Sequence, residues 1–205
     1  MEKLKTYITD YASIQQGTVK SGSTVFFESD SADFSEFSKT LYKKMNLSYP
    51  KFFKMDKLCK LAFLNAEIIL GKNSAETTEN EIAIVLSNAA SSLDTDRVHQ
   101  HSISDREDYF PSPAVFVYTL PNICIGEISI RHNLQTESAF FIQEQYDTAC
   151  MIHYCEYLLS AGKAEKVLCG WVELYKEEYR SFLYLVEKTG ELEHNTTTIK
   201  KLFDI

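Results

Sequence analysis

Residues 138–161 read S-A-F-F-I-Q-E-Q-Y-D-T-A-C-M-I-H-Y-C-E-Y-L-L-S-A. The opening Ser138–Ile142 is a short, largely apolar run that suits a β-strand. Asp147–Ala161 suits a helix, and along it only Asp147, His153 and Glu156 are strongly polar. A helix apolar nearly all round is normally buried on every side. One sheet covers only one face of such a helix, so the other face needs a second cover. This strand–turn–helix unit points to a layered α/β fold.

Outward from this unit the same alternation continues. Upstream, strand character occurs at Thr6–Tyr11 and Thr24–Phe27, and Ser29–Phe34 supplies turn and cap chemistry before a helix over Phe34–Lys44. After Pro50, Met55, Leu58, Leu61, Ala62, Ala66 and Ile69 recur at helical spacing, and Gly71 ends the pattern. Glu81–Leu86, E-I-A-I-V-L, suits a strand buried on both faces of a parallel sheet. A polar loop with Pro111 and Pro113 leads to a helix over Leu120–His132. Downstream, Lys166–Gly170 and Ser181–Glu187 read as strands, the latter as the last regular element. The expectation is one domain, residues 1–205, with a mixed, mainly parallel five-stranded sheet and helices on both faces.

Composition narrows the function classes. The formal net charge of −8, with no basic run, argues against a nucleic-acid partner. The N-terminal Met1-Glu2-Lys3-Leu4-Lys5-Thr6-Tyr7-Ile8 has no signal-peptide core. No apolar segment approaches the roughly 20 residues of a membrane span. Cys59, Cys124, Cys150, Cys155 and Cys169 form no CxxC pair and read as free, mostly buried thiols of a cytoplasmic protein.

The stretch Phe110–Glu173 resembles the N-terminal half of the β-ketoacyl synthases, condensing enzymes with the thiolase fold. The resemblance is carried by Phe110-Pro111-Ser112-Pro113, by Leu120–Ile130, by Glu137-Ser138-Ala139-Phe140-Phe141-Ile142, and by Ala161–Glu173 with its Gly170-Trp171-Val172-Glu173 anchor. Lys54–Ala62 resembles the family's Arg-Met-Asp helix, Glu81–Ser87 its second strand, and Ser181–Glu187 the last strand of the half-domain. The order and spacing of these pieces carry the weight, since each alone is only moderately specific.

In that family the nucleophilic cysteine ends the strand and begins the buried helix, where the helix N-terminus favours thiolate. Counting forward from Ser138, and back from Gly162 and the Gly170 anchor, places that position on Gln145. Cys150 lies five residues later, which along a helix is about 7 Å of axis. The resemblance therefore implies a vacated nucleophile site, with Cys150 as the alternative thiol. Glutamine there is similar to the chain-length factors of two-component polyketide systems, and to loading synthases that only decarboxylate.

The sequence ends at Ile205, where the resemblance implies that the C-terminal half-domain, with its catalytic histidines and lysine, is absent. The expected function is a non-catalytic chain-length-factor-like subunit that pairs with a full-length β-ketoacyl synthase in fatty-acid or polyketide-type biosynthesis, similar to aryl-polyene clusters. It would meet acyl carrier protein through that complex. The alternatives are a minimal acyltransferase or condensing enzyme using Cys150, and a homodimeric acyl-binding scaffold. Ser138, Ala139, Phe140, Phe141 and Ile142 correspond to the family's dimer-interface strand.

Other chemistry-bearing residues are weaker. His99-Gln100-His101, with Asp94, Asp96 and Asp105 nearby, is an HxH pair without fixed further ligands, and no metal or cofactor is expected. His132 and His153 lack a nucleophile to serve. Asn88-Ala89-Ala90-Ser91-Ser92 occupies a loop in which many synthases carry glycine.

Overall fold

The computed structural model describes residues 4–73, 82–105, 107 and 109–204. Glu81, the expected start of the buried strand, and Met1–Lys3 lie outside the described residues.

One sheet organises the chain. Its strands are β1 (Tyr7–Gln15), β2 (Thr18–Ser21), β3 (Thr24–Glu28), β4 (Ile82–Asn88), β5 (Ser138–Ile142), β6 (Lys166–Tyr175), β7 (Glu178–Glu187) and β8 (Leu192–Glu193). Their order is β3-β2-β1-β7-β6-β4-β5, with β8 also paired to β1. β4 pairs in parallel with both β5 and β6, while β7 pairs antiparallel with both β1 and β6. Within β1-β7-β6-β4-β5, therefore, four strands share a direction and β7 runs against them. The sheet is mixed, as expected. It is wider than five strands because β1 turns at Gln16-Gly17 into a β2–β3 hairpin.

β4 is buried along its whole length. Its unbroken I-A-I-V-L run needs apolar cover on both faces, and the sheet centre supplies it. Gly170 in β6 is required by close approach, since any Cβ there would collide with the carbonyl of Phe182 on β7.

One face of the sheet carries α1 (Phe34–Lys44), α2 (Lys57–Leu70) and α5 (Ile123–His132). Asp33 caps α1 through the Glu36 amide, and Asp56 caps α2 through the Cys59 amide at 2.8 Å. Twelve of the fourteen residues of α2 are buried. Its polar members are tied down. Asn65 donates to Ser181 Oγ at 2.7 Å, and Glu67 accepts from Arg131 Nε at 2.9 Å with His132 Nε2 also at 2.9 Å.

The opposite face carries α6 (Thr148–Ser160) and α7 (Thr196–Phe203). The expectation that regular structure ends at Glu187 is corrected by β8 and α7. Asn195 caps α7 through the Thr198 amide, and Ile199 is fully buried. The stretch read as a polar loop before Leu120 also contains α3 (Leu93–Ser102) and the short α4 (Pro113–Val117). α3 buries only Thr95, so it lacks the apolar stripe that marks a helix in sequence.

Candidate functional site

The elbow between β5 and α6 holds the residues singled out in the sequence. Gln145 is exposed in the bend after β5, and the helix starts three residues later, at Thr148. Asp147 is the N-cap, its carboxylate accepting from the amides of Ala149 at 3.1 Å and Cys150 at 3.0 Å. Gln143 Oε1 in turn accepts from the Asp147 amide at 3.3 Å.

Cys150 therefore sits in the first turn of α6, not one and a half turns along it. The displacement expected from the spacing is corrected, because residues 143–147 are not helical. Distance from the helix end is thus not what sets this thiol's chemistry. Partial burial pushes the Cys150 thiol up, and the neighbouring Asp147 carboxylate pushes it further in the same direction. The amides that elsewhere stabilise a thiolate or hold an acyl oxygen already bond to Asp147. In this arrangement the first turn of α6 favours a protonated thiol.

Beneath the elbow lies an aromatic cluster. Tyr146 packs against Trp171 on β6 and Phe203 on α7, with ring centroids 5.7 and 5.3 Å away. Its hydroxyl is 2.9 Å from that of Tyr184 on β7. Burial holds both phenols well above their ordinary range, so both stay neutral.

The strand Ser138–Ile142 is the sheet edge, paired only with β4 among the described residues. Period-two alternation sends Phe140 toward the α5 side and Phe141 toward the α6 side, and each is half-buried within the chain. Phe141 contacts Tyr154 of α6 at 5.3 Å, and Tyr154 contacts Tyr157 at 6.2 Å. Tyr157 is 55% exposed and Ile142 54%. An aromatic strip therefore continues from the edge strand onto the open side of α6, past exposed Ala149, His153 and Ser160. Tyr154 and Tyr157 are easily missed in sequence, where they read as core positions of an all-round apolar helix. A groove of about 490 Å³ runs beside this edge between β5 and α5, lined by Ile123, Gly126, Ser129, Ala139 and Phe140. Its sequence signal is the small Gly126 and Ser129 within an otherwise apolar helix.

The remaining candidates are dispersed. His99 packs on Phe116 at 5.3 Å, Asp94 accepts from the Lys176 amide and Asp96 from Ser92 Oγ. Asp105 accepts from the Glu107 amide. Among the described residues no group of three or more His, Cys, Asp or Glu could hold a metal ion. His132 is on the far face with Glu67, and His153 is exposed on α6. Glu173 of the Gly170–Glu173 anchor accepts from the amides of Ala89 and Ala90 at 2.7 and 3.2 Å, which fixes the loop after β4. No helix among the described residues is long and apolar enough to cross a membrane.

No family model matches the chain, and no curated protein matches it. Solved structures do. The ishigamide ketosynthase/chain length factor superposes with TM-score 0.68 at 16% identity, over 92% of this chain and 64% of that one. A type II polyketide synthase acyl carrier protein in complex with its ketosynthase bound to the hexaketide gives TM-score 0.64 at 15% identity, over 89% and 62%. A ketosynthase in complex with its chain length factor from Xenorhabdus doucetiae gives 0.59 at 16%, over 92% and 81%. The chain spans less than two thirds of the first two. At these identities the likeness shows the fold, and that fold is the thiolase-like one of ketosynthases and chain-length factors.

Proposed function

We propose that this chain is a non-catalytic, chain-length-factor-like subunit that pairs with a ketosynthase in polyketide-type biosynthesis, of the aryl-polyene kind. The single observation that carries the reading is the capped elbow. Where a condensing enzyme needs a thiolate at the helix N-terminus, this chain has exposed Gln145 followed by Asp147, whose carboxylate takes the first free amides. A carboxylate there opposes a second negative charge by like-charge repulsion.

The edge gives the subunit its means of association. β5 offers a backbone edge that pairs with no strand among the described residues except β4, flanked by the strip Phe141–Tyr154–Tyr157 on one side and the groove beside α5 on the other. Unsatisfied strand edges and contiguous apolar surface favour a partner. The chain's contribution is steric: residues along the groove limit the length of the product, while the ketosynthase supplies the nucleophile. Acyl carrier protein is met through the complex. Similarity to structures of ketosynthases with chain length factors, and with an acyl carrier protein, supports this reading.

The test is co-expression with a ketosynthase encoded beside it, followed by light scattering of the purified material. A mixed complex whose condensation activity survives Cys150→Ala here, and is lost with the ketosynthase's own cysteine, supports the proposal. Loss of activity in Cys150→Ala would return Cys150 to the role of nucleophile. A homodimer that ignores every ketosynthase would favour the scaffold reading.

A further inference from the structure

On the side of α1, α2 and α5 the chain carries a cleft of about 840 Å³, within the size range of small-molecule sites. It lies where three helices end: Met45, Gly71 and Asn133, the C-caps of α1, α2 and α5, all line it. The β2–β3 hairpin adds Ser21 and Phe26 to its wall. The cleft shares no lining residue with the groove beside β5, and the elbow of α6 is on the other face of the sheet.

Its polar part is built around a buried charge. The Glu67 side chain is only 3% exposed, on a helix that is otherwise largely apolar. Taking a carboxylate out of water is costly unless partners compensate. Arg131 and His132 do so, each 2.9 Å from Glu67 Oε1. Lys72, which also lines the cleft, pairs with Asp10 at 2.8 Å. The helix ends explain why cations gather here, since terminal carbonyls favour positive charge.

Neither pairing exhausts its cation. Arg131 gives Glu67 its Nε and Nη2, and Lys72 contacts both oxygens of Asp10. A guanidinium carries five N–H groups and an ammonium three. The two side chains stay 30% and 45% exposed. The apolar part of the lining is Phe26, Met45, Leu47 and Ile68.

We propose that this cleft binds a small organic carboxylate with an apolar body. The further N–H groups of Arg131 and Lys72 call for an acceptor, and a carboxylate matches the guanidinium fork. The four apolar residues take the body. The one carboxylate of the lining, Glu67, is already bonded, so an ammonium head group meets no free anion there. This goes beyond the reading of the chain as a synthase partner and does not depend on it.

Three probes share one body and differ in head group: 4-phenylbutanoic acid, 4-phenylbutan-1-ol and 4-phenylbutan-1-amine. Each is titrated into the whole chain by isothermal calorimetry. The acid is expected to bind at one site, roughly ten-fold or more tighter than the alcohol, the worth of one hydrogen bond to a charged group. The amine should bind weakest. Lys72→Ala removes an exposed pair that the fold needs little, and should narrow the advantage of the acid over the alcohol. Gly71→Leu fills the cleft. Gly71 has φ −63°, and a Cβ there makes ordinary contact with Glu67 Oε2 at 3.9 Å, so the backbone accepts the change. That variant should lose acid binding while its thermal unfolding midpoint stays near the native one. Ser21→Phe fills the same space from the hairpin and serves if Gly71→Leu does not fold. An alcohol or amine that binds as well as the acid overturns the proposal. So does acid affinity unchanged by Lys72→Ala or by the folded filling variant, or no saturable binding of the acid at all. Because the titration uses the chain alone, failure to find a ketosynthase complex would leave its result intact.

Discussion

Helices α2 and α6 draw on the same residue types, yet one is sealed and the other half open. α2, K-L-C-K-L-A-F-L-N-A-E-I-I-L, buries twelve of fourteen residues between the sheet and its neighbours α1 and α5. α6, T-A-C-M-I-H-Y-C-E-Y-L-L-S, buries six of thirteen and, among the described residues, has α7 as the one helix packed beside it on that face of the sheet. Apolar composition says that a helix seeks cover. Only the layer order says whether its own chain provides that cover. The polar residues show the difference more clearly. Asn65 and Glu67 of α2 are buried and bonded to named partners, whereas His153 of α6 is exposed.

The sharpest way to break the contrast is to hollow out the sealed helix. Leu64 is fully buried, and Leu64→Ala should cost about 2–5 kcal/mol from lost burial and the cavity left behind. Equilibrium urea unfolding checks this. A cost near zero would mean that α2 is not the inner layer.

Next is Glu67→Gln, which should cost about 1–3 kcal/mol near neutral pH by leaving a buried polar group poorly matched; partial exposure of Arg131 argues for the lower end. Burial alone would raise the Glu67 carboxyl, but hydrogen bonds from His132 and Arg131 outweigh it and hold it below its ordinary value. A depressed carboxyl contributes stability that is present above its unfolded value and is lost as pH falls through the folded one. Asp56 runs the other way. Burial raises it, so its contribution is present below the ordinary value and fades as pH rises through the raised one. The native chain should therefore lose the Glu67 part of its stability on the acid side of the ordinary carboxylate range. Glu67→Gln should flatten that limb, as read by chemical denaturation at stepped pH.

On α6, Asp147→Ala should cost about 1 kcal/mol, the ordinary worth of an N-cap. It should also speed alkylation of Cys150, because the nearby carboxylate that opposes thiolate is gone. Unchanged reactivity would show that partial burial alone holds the thiol up. The smallest effect belongs to the open side. Tyr157→Ser should change the stability of the free chain by no more than about 0.5 kcal/mol, as a surface replacement does. The same change should weaken any complex in which the strip Phe141–Tyr154–Tyr157 is buried, measured by titrating the subunits together.

Elements with strong local chemistry were readable from the residues alone. α1 spans Phe34–Lys44 and β5 spans Ser138–Ile142, as their cap and apolar run indicated. The fully buried β4 followed from its unbroken apolar run. Elements stabilised by distant contacts were not. α3 is polar and lies at the surface, with Ser92, Asp94 and Arg97 bonded to residues far along the chain. α7 begins with three β-branched threonines, poor helix formers, and is held by Ile199 and Phe203 against α6 and the sheet. At the elbow the strand and the helix that follows it were readable. The aromatic cluster beneath it was not, since Tyr146, Trp171, Tyr184 and Phe203 come from four separate elements.

The antiparallel strand inserted among parallel ones also sets a timetable. β1 pairs with β7 from Tyr7↔Glu187 to Gln15↔Arg180, and among the described residues no other strand joins it to the sheet centre. On the ribosome the β1–β3 segment must wait until β7 has been made. Closing so long a loop is entropically slow, and waiting edges invite mispairing. The β1–β3 segment, though made before β7, is thus among the late parts to join the sheet, and chaperone dependence of expression should concentrate there.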